Sequence, residues 1–319
     1  MDAAHDLLDA LGSCRRVLLT GPVQPDGDSL GACLALQRVL RTHAIDCDVT
    51  GAASYRYRGL PGIEGLVADD ALEGYDGVVV LDGDRHRLPP GATRAFADAR
   101  VRGIIDHHGS TKQDGYTHFW LAPDVGSTCE MLFHAFRVRD EVIDAEVAHC
   151  LYAGVVFDTG GFRYSNTRPS THQLASDLLA LGIDHAQICM DILMDRRMEG
   201  VRAAGRVLES AVVACDGRLM LGAVPLALQD ELGLVDGDLE GLVESLLHIQ
   251  GVEVSALGIE LPDGQVKLSF RSRGRVDVAS LARRLSAAGG GHAKAAGARV
   301  VDDLPSTRRR IIGLVTDLL

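Results

Sequence analysis

The chain of 319 residues is long enough for two domains of about 100–200 residues each, and its 46% hydrophobic content suffices for packed cores. Its 32 basic and 44 acidic residues give a net charge of -12, which argues against a broad basic surface that binds long nucleic acids. A small anionic substrate stays compatible with this charge, because a bound divalent cation reverses the local field.

The cysteines and the apolar segments indicate the compartment. The seven cysteines are scattered without a C-x-x-C pair, which is typical of reduced thiols in a cytosolic protein. The first residues lack the cationic and apolar segments of a signal peptide. No apolar run approaches the ~18 residues of a membrane span. We therefore expect a soluble, cytoplasmic protein without a membrane partner.

Short apolar runs alternate with helical periodicity through the first half of the chain. Four of these runs predict strands, at residues 17–20, 46–49, 77–81 and 102–105. Helices are predicted at residues 29–42 and 145–156. Three of the runs show no polar alternation. We therefore expect parallel strands that are covered on both faces, in a doubly wound α/β sheet.

The pattern changes to a mixed α/β arrangement after a helical stretch at residues 171–203. Strands are predicted at 207–214, 218–224, 252–260 and 265–272, and helices at 239–249 and 278–288. We place an N-terminal domain at residues 1–188, a helical linker at 189–205 and a smaller mixed α/β domain at 206–319.

Acidic residues follow the strong elements of the first half. Asp26 and Asp28 follow the first strand, Asp82 follows the third, and Asp158 closes the helix at 145–156. The triplet Asp106-His107-His108 follows the fourth strand. Sites of open α/β sheets assemble at the carboxyl ends of strands. Helix capping by Asp28 and an ordinary Asp82-Gly83 turn are the alternative interpretations.

Taken together, these carboxylates and imidazoles fit a two-metal hydrolytic site. Hard divalent cations take carboxylate oxygens, and Mn²⁺ also accepts imidazole nitrogen. Two ions about 3.5–4 Å apart suit phosphoryl transfer, in which both the attacking and the leaving oxygen need charge neutralisation.

The same residues resemble the DHH phosphoesterases, whose name-giving triplet is Asp106-His107-His108 here. The resemblance includes Pro25-Asp26-Gly27-Asp28 and extends into the second half. There, Phe270-Arg271-Ser272-Arg273 and the segment GGGHAKAAG at 289–297 look like the DHH-associated C-terminal domain. These two motifs, together with a length that fits two lobes, make the chain most similar to the nanoRNase/pAp phosphatase branch.

The resemblance implies a phosphodiesterase or phosphatase that forms mononucleotides. Implied substrates are very short oligoribonucleotides, dinucleotides such as pGpG or pApA, and 3′-phosphoadenosine 5′-phosphate (pAp). The implied cofactor is a pair of Mn²⁺ ions, with Mg²⁺ or Co²⁺ as alternatives, in a cleft between the two domains. A homodimer is also expected by resemblance.

The resemblance also implies roles for individual residues. The implied metal ligands are Asp26, Asp28, Asp82, His107 and Asp158, with Asp82 bridging the two ions. The implied catalytic residues are Asp82, His107 and His108. The implied substrate-binding residues are Arg271, Ser272, Gly289, Gly290, Gly291 and His292. A glycine-rich run presents backbone N–H groups to an anion, and Arg can grip a phosphate in a bidentate manner, although the run also suits a flexible connector.

The chain departs from the family pattern at Pro22. The family usually has a histidine ligand of the first metal four residues before Asp26, and proline offers no donor atom. A catalytically impaired nucleotide-binding protein is therefore one alternative function. A single-strand exonuclease is another. The 4% aromatic content and the net charge of -12 argue against a surface on which the bases of a long strand could stack.

Overall fold

The computed structural model describes residues 2–109 and 111–319. They form two compact units, which divide between Asp195 and Arg196. Among the described residues, no helix has both the length and the apolar character that crossing a membrane requires.

The N-terminal unit contains a five-stranded sheet in which every pair of neighbouring strands is parallel. The strands are β1 (Arg16–Thr20), β2 (Asp46–Thr50), β3 (Gly77–Leu81), β4 (Val101–Asp106) and β5 (His118–Leu121). Their order in the sheet is β2-β1-β3-β4-β5. The predicted parallel α/β sheet is confirmed, and β5 is an edge strand that the apolar pattern does not predict.

Helices cover both faces of this sheet. They are α1 (Asp2–Gly12), α2 (Gly27–Thr42), α3 (Pro90–Asp98), α4 (Thr128–Val138), α5 (Ala145–Asp158), α6 (Pro169–Leu179) and α7 (His185–Cys189), followed by a π-helical turn (Met190–Met194). Leu19 and Val79 pack in one apolar cluster with α1, α2, α4 and α5, whereas Leu18 and Val78 pack in another with α3. Strand side chains alternate between the two faces, so a run that is buried on both sides is apolar throughout.

The C-terminal unit is a mixed α/β domain, as predicted, and its sheet has six strands where the sequence predicts four. Its elements are α8 (Met198–Glu209), β6 (Val212–Ala214), β7 (Leu219–Val224), α9 (Leu226–Leu232), α10 (Leu242–Leu247), β8 (Val254–Glu260), β9 (Val266–Ser272), α11 (Val278–Leu285), β10 (Gly290–His292), β11 (Ala295–Val300) and α12 (Leu304–Thr316). The strand order is β10-β11-β9-β8-β7-β6, in which only β7 and β8 pair in parallel.

Two predicted elements differ from the structure. The helical stretch expected at 171–203 is broken into α6, α7, the π-helical turn and α8, and Gly182 adopts a left-handed φ of 81° just after α6. The strand expected at 207–214 begins only at Val212, because α8 continues to Glu209. Val207 is β-branched, but it lies in α8 and packs in an apolar cluster of the C-terminal unit. Burial rather than β propensity therefore determines its conformation.

Candidate metal centre

The ends of several elements bring the predicted metal ligands of the N-terminal unit together. Asp26 is the N-cap of α2, and Asp28 lies in the first turn of that helix. Asp82 follows β3, and His107 follows β4. Because the parallel strands β1, β3 and β4 are neighbours, their carboxyl ends meet at one edge of the sheet. Asp158, the last residue of α5, reaches this edge through a 2.9 Å contact between its Oδ2 and Nε2 of His107.

Asp28 is fully buried and is held by the first turn of α4. Its Oδ2 accepts a hydrogen bond from the backbone N–H of Thr128 at 2.6 Å, and its Oδ1 accepts one from that of Cys129 at 2.9 Å. The first N–H groups of a helix have no partner within the helix, and the helix dipole favours negative charge there. Gly154 of α5 provides the space, since a Cβ at this position would lie 2.6 Å from Oδ1 of Asp28.

Asp82 lies at the centre of the cluster with a left-handed backbone, at a φ of 58°. Its backbone N–H donates to the carbonyl of Ile105 at 3.0 Å, which extends the pairing of β3 with β4. Its Oδ1 accepts a hydrogen bond from the hydroxyl of Thr128 at 3.3 Å. The same oxygen lies 3.4 Å from Nε2 of His107 and 3.7 Å from Nδ1 of His108. The other polar groups are therefore arranged around this carboxylate.

His107 turns its Nε2 toward the carboxylates. Its Nδ1 lies 3.3 Å from the carbonyl of Val125, and because a carbonyl only accepts hydrogen bonds, Nδ1 carries a hydrogen. Burial by itself lowers the pKa of His107, but the hydrogen bonds to Asp158 and Asp82 outweigh burial and raise this pKa to about 12. Nε2, which faces these carboxylates, is the atom through which the imidazole would coordinate a cation.

The clustered carboxylates concentrate negative charge in a buried place. Burial, followed by the charges of Asp82 and Asp158, raises the pKa of Asp28 to about 8. Burial and the neighbouring carboxylates also hold the pKa of Asp26 well above its usual range. Burial by itself raises the pKa of Asp82 as well, but the hydrogen bond from His107 outweighs it, so this pKa is lowered. A divalent cation would neutralise such a cluster.

The donor set fits a divalent cation. Asp28, Asp82 and His107 each offer a ligand atom, and these three atoms lie within 4.8 Å of one another. Asp158 adjoins the set through His107. Carboxylate oxygens together with one imidazole nitrogen are ligands that suit Mn²⁺, whereas Mg²⁺ prefers oxygen alone.

His108 is oriented by the first residue of its own triplet. Asp106 is fully buried, and its Oδ1 accepts hydrogen bonds from Nδ1 of His108 at 2.7 Å and from the backbone N–H of His108 at 3.3 Å. Thr111 donates its hydroxyl to Oδ2 of Asp106. Burial by itself lowers the pKa of His108, but the hydrogen bond to Asp106 outweighs burial and raises it. Asp106 therefore fixes the ring orientation of His108.

The predicted substrate-binding residues of the C-terminal unit lie on neighbouring strands. In the sheet register, Ala295 of β11 pairs with Arg271 of β9 on one side and with His292 of β10 on the other. Residues that face each other across antiparallel strands point to the same side of a sheet, so Arg271 and His292 share one face. Nε of Arg271 donates to Oε1 of Glu244 at 2.7 Å. Ser272 is buried, Gly289 directly precedes β10, and Gly290 and Gly291 lie in that strand.

Two residues support the candidate ligands in ways that the sequence does not predict. Gly154 leaves room for Asp28, and its sequence signal is an isolated glycine inside an apolar helix. Asn166 donates its Nδ2 to the carbonyls of Gly126 and Asp158, at 2.9 and 3.1 Å. Asn166 thereby joins the end of α5 to the segment that precedes α4.

Comparison with known proteins identifies the family of each part of the chain. The model of the DHH family, N-terminal domain, matches residues 16–155, which contain every candidate metal ligand except Asp158. The model of the DHHA1 domain matches residues 223–318, which contain Arg271 and His292.

Relatives and solved structures match nearly the whole chain. The bifunctional oligoribonuclease and PAP phosphatase NrnA of Thermus thermophilus is 30% identical over 310 residues, which cover 93% of this chain and 88% of that protein. The protein of the same name from Bacillus subtilis is 24% identical over 301 residues, or 92% of each chain. An exopolyphosphatase-related protein from Bacteroides fragilis has the same fold, with a TM-score of 0.88 over 99% of this chain and 97% of that chain at 24% identity. The chain therefore belongs to the DHH phosphoesterase family, carries a DHHA1 domain, and is a hydrolase.

Proposed function

We propose that this chain is a Mn²⁺-dependent phosphoesterase that hydrolyses very short oligoribonucleotides, dinucleotides such as pGpG and pApA, and pAp to mononucleotides. The observation that carries the proposal is the buried ligand cluster of Asp28, Asp82 and His107, which concentrates carboxylates at the strand ends. The match to relatives that are named oligoribonuclease and PAP phosphatase extends over almost their full length, which supports the same substrate class here.

Each predicted site residue has a proposed task. Asp26, Asp28, Asp82, His107 and Asp158 hold divalent cations, which supply positive charge to the scissile phosphate when they are bound. His108, held by Asp106, contacts the phosphate as a hydrogen-bond donor. Arg271, Ser272, Gly289, Gly290, Gly291 and His292 bind the substrate.

We also propose a cytoplasmic location, a small nucleotide rather than a long nucleic acid as the binding partner, and a homodimer. All seven cysteines are free thiols, and five of them are buried, which supports a reducing compartment. The net charge of -12 supports a short substrate, because a long strand needs a basic path along its backbone.

Product analysis tests the proposed function. Purified protein with Mn²⁺, Mg²⁺ or Co²⁺ is incubated with pGpG, pApA, a short RNA, a long single strand and pAp, and the products are separated by ion-exchange chromatography. We expect mononucleotides from the dinucleotides and phosphate release from pAp. Asp82→Asn should reduce the rate by about 10³-fold, equivalent to ~4 kcal/mol of transition-state stabilisation. Asp98→Asn, an exposed carboxylate of α3, is the matched control and should leave the rate unchanged.

Two results would contradict the proposal. If the protein binds nucleotide but forms no product with any of the three metal ions, the alternative that Pro22 suggests, a catalytically impaired nucleotide-binding protein, is favoured. Degradation of the long strand at a rate equal to or above that of the dinucleotides would favour a single-strand exonuclease.

A further inference from the structure

The candidate ligands are unevenly distributed around Asp82. Ligand atoms of Asp28, Asp82 and His107 lie within 4.8 Å of one another, and Asp158 contacts the same imidazole. Among the described His, Cys, Asp and Glu side chains, no group of three whose ligand atoms lie this close includes Asp26.

Neighbouring backbone N–H groups are hydrogen-bonded to one oxygen of the Asp26 carboxylate. Oδ1 of Asp26 accepts hydrogen bonds from the backbone N–H groups of Asp28 and Ser29, at 3.0 and 3.1 Å. Asp26 therefore serves as the N-cap of α2. Its other oxygen, Oδ2, and the carboxylate of Asp82 are candidate donors to a second ion.

Pro22 brings no donor atom to the turn that follows Asp82. It is buried in the segment between β1 and Asp26, and its ring packs beside the residue that follows Asp82. A Cβ built on Gly83 would lie 3.3 Å from Cδ of Pro22. The backbone N–H of Val23 donates to the carbonyl of Arg87 at 2.8 Å, which fixes this segment. The space beside the Asp82-Gly83 turn is thus filled by ring carbons without a lone pair.

Asp106 and His108 form the other group around Asp82, and they are hydrogen-bonded to each other. Ligand atoms of Asp82, Asp106 and His108 lie within 4.8 Å of one another. Oδ1 of Asp106 accepts from Nδ1 and the backbone N–H of His108, and Oδ2 accepts from the hydroxyl of Thr111. This fully buried carboxylate is committed to orienting His108, so the group does not replace the donor that Pro22 lacks.

We infer that the N-terminal unit holds one divalent cation by itself, through Asp28, Asp82, His107 and Asp158. A second cation binds at Asp26 only together with a phosphate group of the substrate, whose oxygens supply the ligands that the protein lacks. Hard cations are commonly held by one or two carboxylates plus substrate phosphate. The inference rests on the proposed function for the identity of the phosphate ligand. It makes occupancy of the second position dependent on substrate.

Mn²⁺ titration of the metal-free protein tests this inference without turnover. Calorimetry, with electron paramagnetic resonance to detect coupled ion pairs, is performed with and without AMP. We expect one tightly bound Mn²⁺ per chain without AMP, and a second one whose affinity rises about tenfold or more when AMP is present. By linkage, the second ion should raise the affinity for AMP by the same factor. Two tight ions without AMP, or no effect of AMP on the second ion, would overturn the inference.

Variants locate the second ion. Asp26→Asn should retain the first ion and lose the AMP-dependent one. Pro22→His should bind two ions without AMP, whereas Pro22→Ala, which removes the ring without adding a donor, should still bind one. If Asp106→Asn rather than Asp26→Asn abolishes the second ion, the ion lies beside His108 and the inference is wrong. The wild-type titration and Asp26→Asn keep the test decisive if Pro22→His fails to fold.

Hydrolysis of pApA by the same samples separates this inference from the proposed function. Turnover by a protein that binds two tight ions without AMP contradicts the inference and leaves the function standing. One tight ion, an AMP-dependent second ion and no turnover contradict the proposed function alone.

Discussion

Asp82 is both a turn residue and a candidate metal ligand. A left-handed backbone costs a residue with a Cβ about 1–2 kcal/mol, although Asp tolerates it better than most residues. At a φ of 58°, Asp82 leaves β3 and turns its carboxylate toward Thr128 and His107. The Asp-Gly turn and the ligand role, which are alternatives at the level of the sequence, are therefore compatible in the structure.

Gly154→Ala tests how tightly Asp28 is held. The added Cβ would lie 2.3 Å from Sγ of Cys129 and 2.6 Å from Oδ1 of Asp28, so one of them has to move. We expect a loss of about 1–3 kcal/mol in unfolding free energy, as for other overpacked sites, together with weaker Mn²⁺ binding. Urea denaturation and Mn²⁺ calorimetry measure the two effects.

Gly313→Ala in α12 is the matched control for this substitution. A Cβ at Gly313 would meet no atom within 4 Å, so alanine should keep or increase stability by up to ~1 kcal/mol through its higher helix propensity. Unchanged stability and Mn²⁺ affinity in Gly154→Ala would mean that the Asp28 pocket is not closely packed.

The position of the candidate ligands at the strand ends is predictable from the sequence, whereas the position of the residues that support them is not. Asp82 and His107 directly follow apolar strands, so their position at the carboxyl edge follows from local pattern. Gly154 leaves room for a carboxylate 126 positions earlier in the chain, and a single glycine in an apolar helix indicates close packing without indicating which residue it faces. Its role depends on how α2, α4 and α5 pack together.

At the level of elements, Glu130 joins α4 to α6. It is buried, and its carboxylate accepts hydrogen bonds from the hydroxyls of Ser170 at 3.0 Å and Thr171 at 2.9 Å. Burial by itself raises the pKa of Glu130, but hydrogen bonds from His134, Thr171 and Ser170 outweigh burial and lower it. Because the pKa in the folded state is lowered, ionised Glu130 stabilises the fold above the ordinary glutamate pKa of about 4.3.

Glu130→Gln tests this pH dependence. The stabilisation should be lost as the pH falls through the lowered pKa of the folded state. We expect the wild type to be more stable than Glu130→Gln by about 1–3 kcal/mol at pH 7, with the difference shrinking below pH ~4. Urea denaturation at pH 7, 5, 4 and 3 measures it. Glu64→Gln, an exposed position, should show no such trend. A difference that stays constant down to pH 3 would indicate lost packing instead of lost charge.

The elements that sequence patterns predict best are the buried ones. Strands β1, β3 and β4 are short and rich in β-branched residues and leucine, so burial and propensity agree. β10 and the start of β11 consist mainly of glycine and alanine, which have low strand propensity. They are extended because β11 pairs with β9 over six residues, from Ala295 opposite Arg271 to Val300 opposite Val266. Long-range pairing rather than local sequence therefore determines this hairpin.

At the scale of the whole molecule, the chemistry divides between the two units. The N-terminal unit contains Asp26, Asp28, Asp82, His107 and Asp158, while the C-terminal unit presents Arg271 and His292 on one face of its sheet. If the C-terminal unit serves recognition only, changes there should alter substrate affinity and leave cation binding unaffected.

His292→Ala tests this division of labour. His292 lies on the edge strand β10 and is exposed, so its removal creates no cavity. A lost hydrogen bond to a charged phosphate is worth about 1.5–3 kcal/mol, so KM for pApA should rise by roughly tenfold or more, with a smaller change in kcat. The Mn²⁺ titration should match that of the wild type. His248→Ala, at an exposed histidine just after α10, is the matched control and should change neither quantity. An unchanged KM in His292→Ala would exclude His292 from substrate binding. Loss of Mn²⁺ would instead assign it to the metal centre.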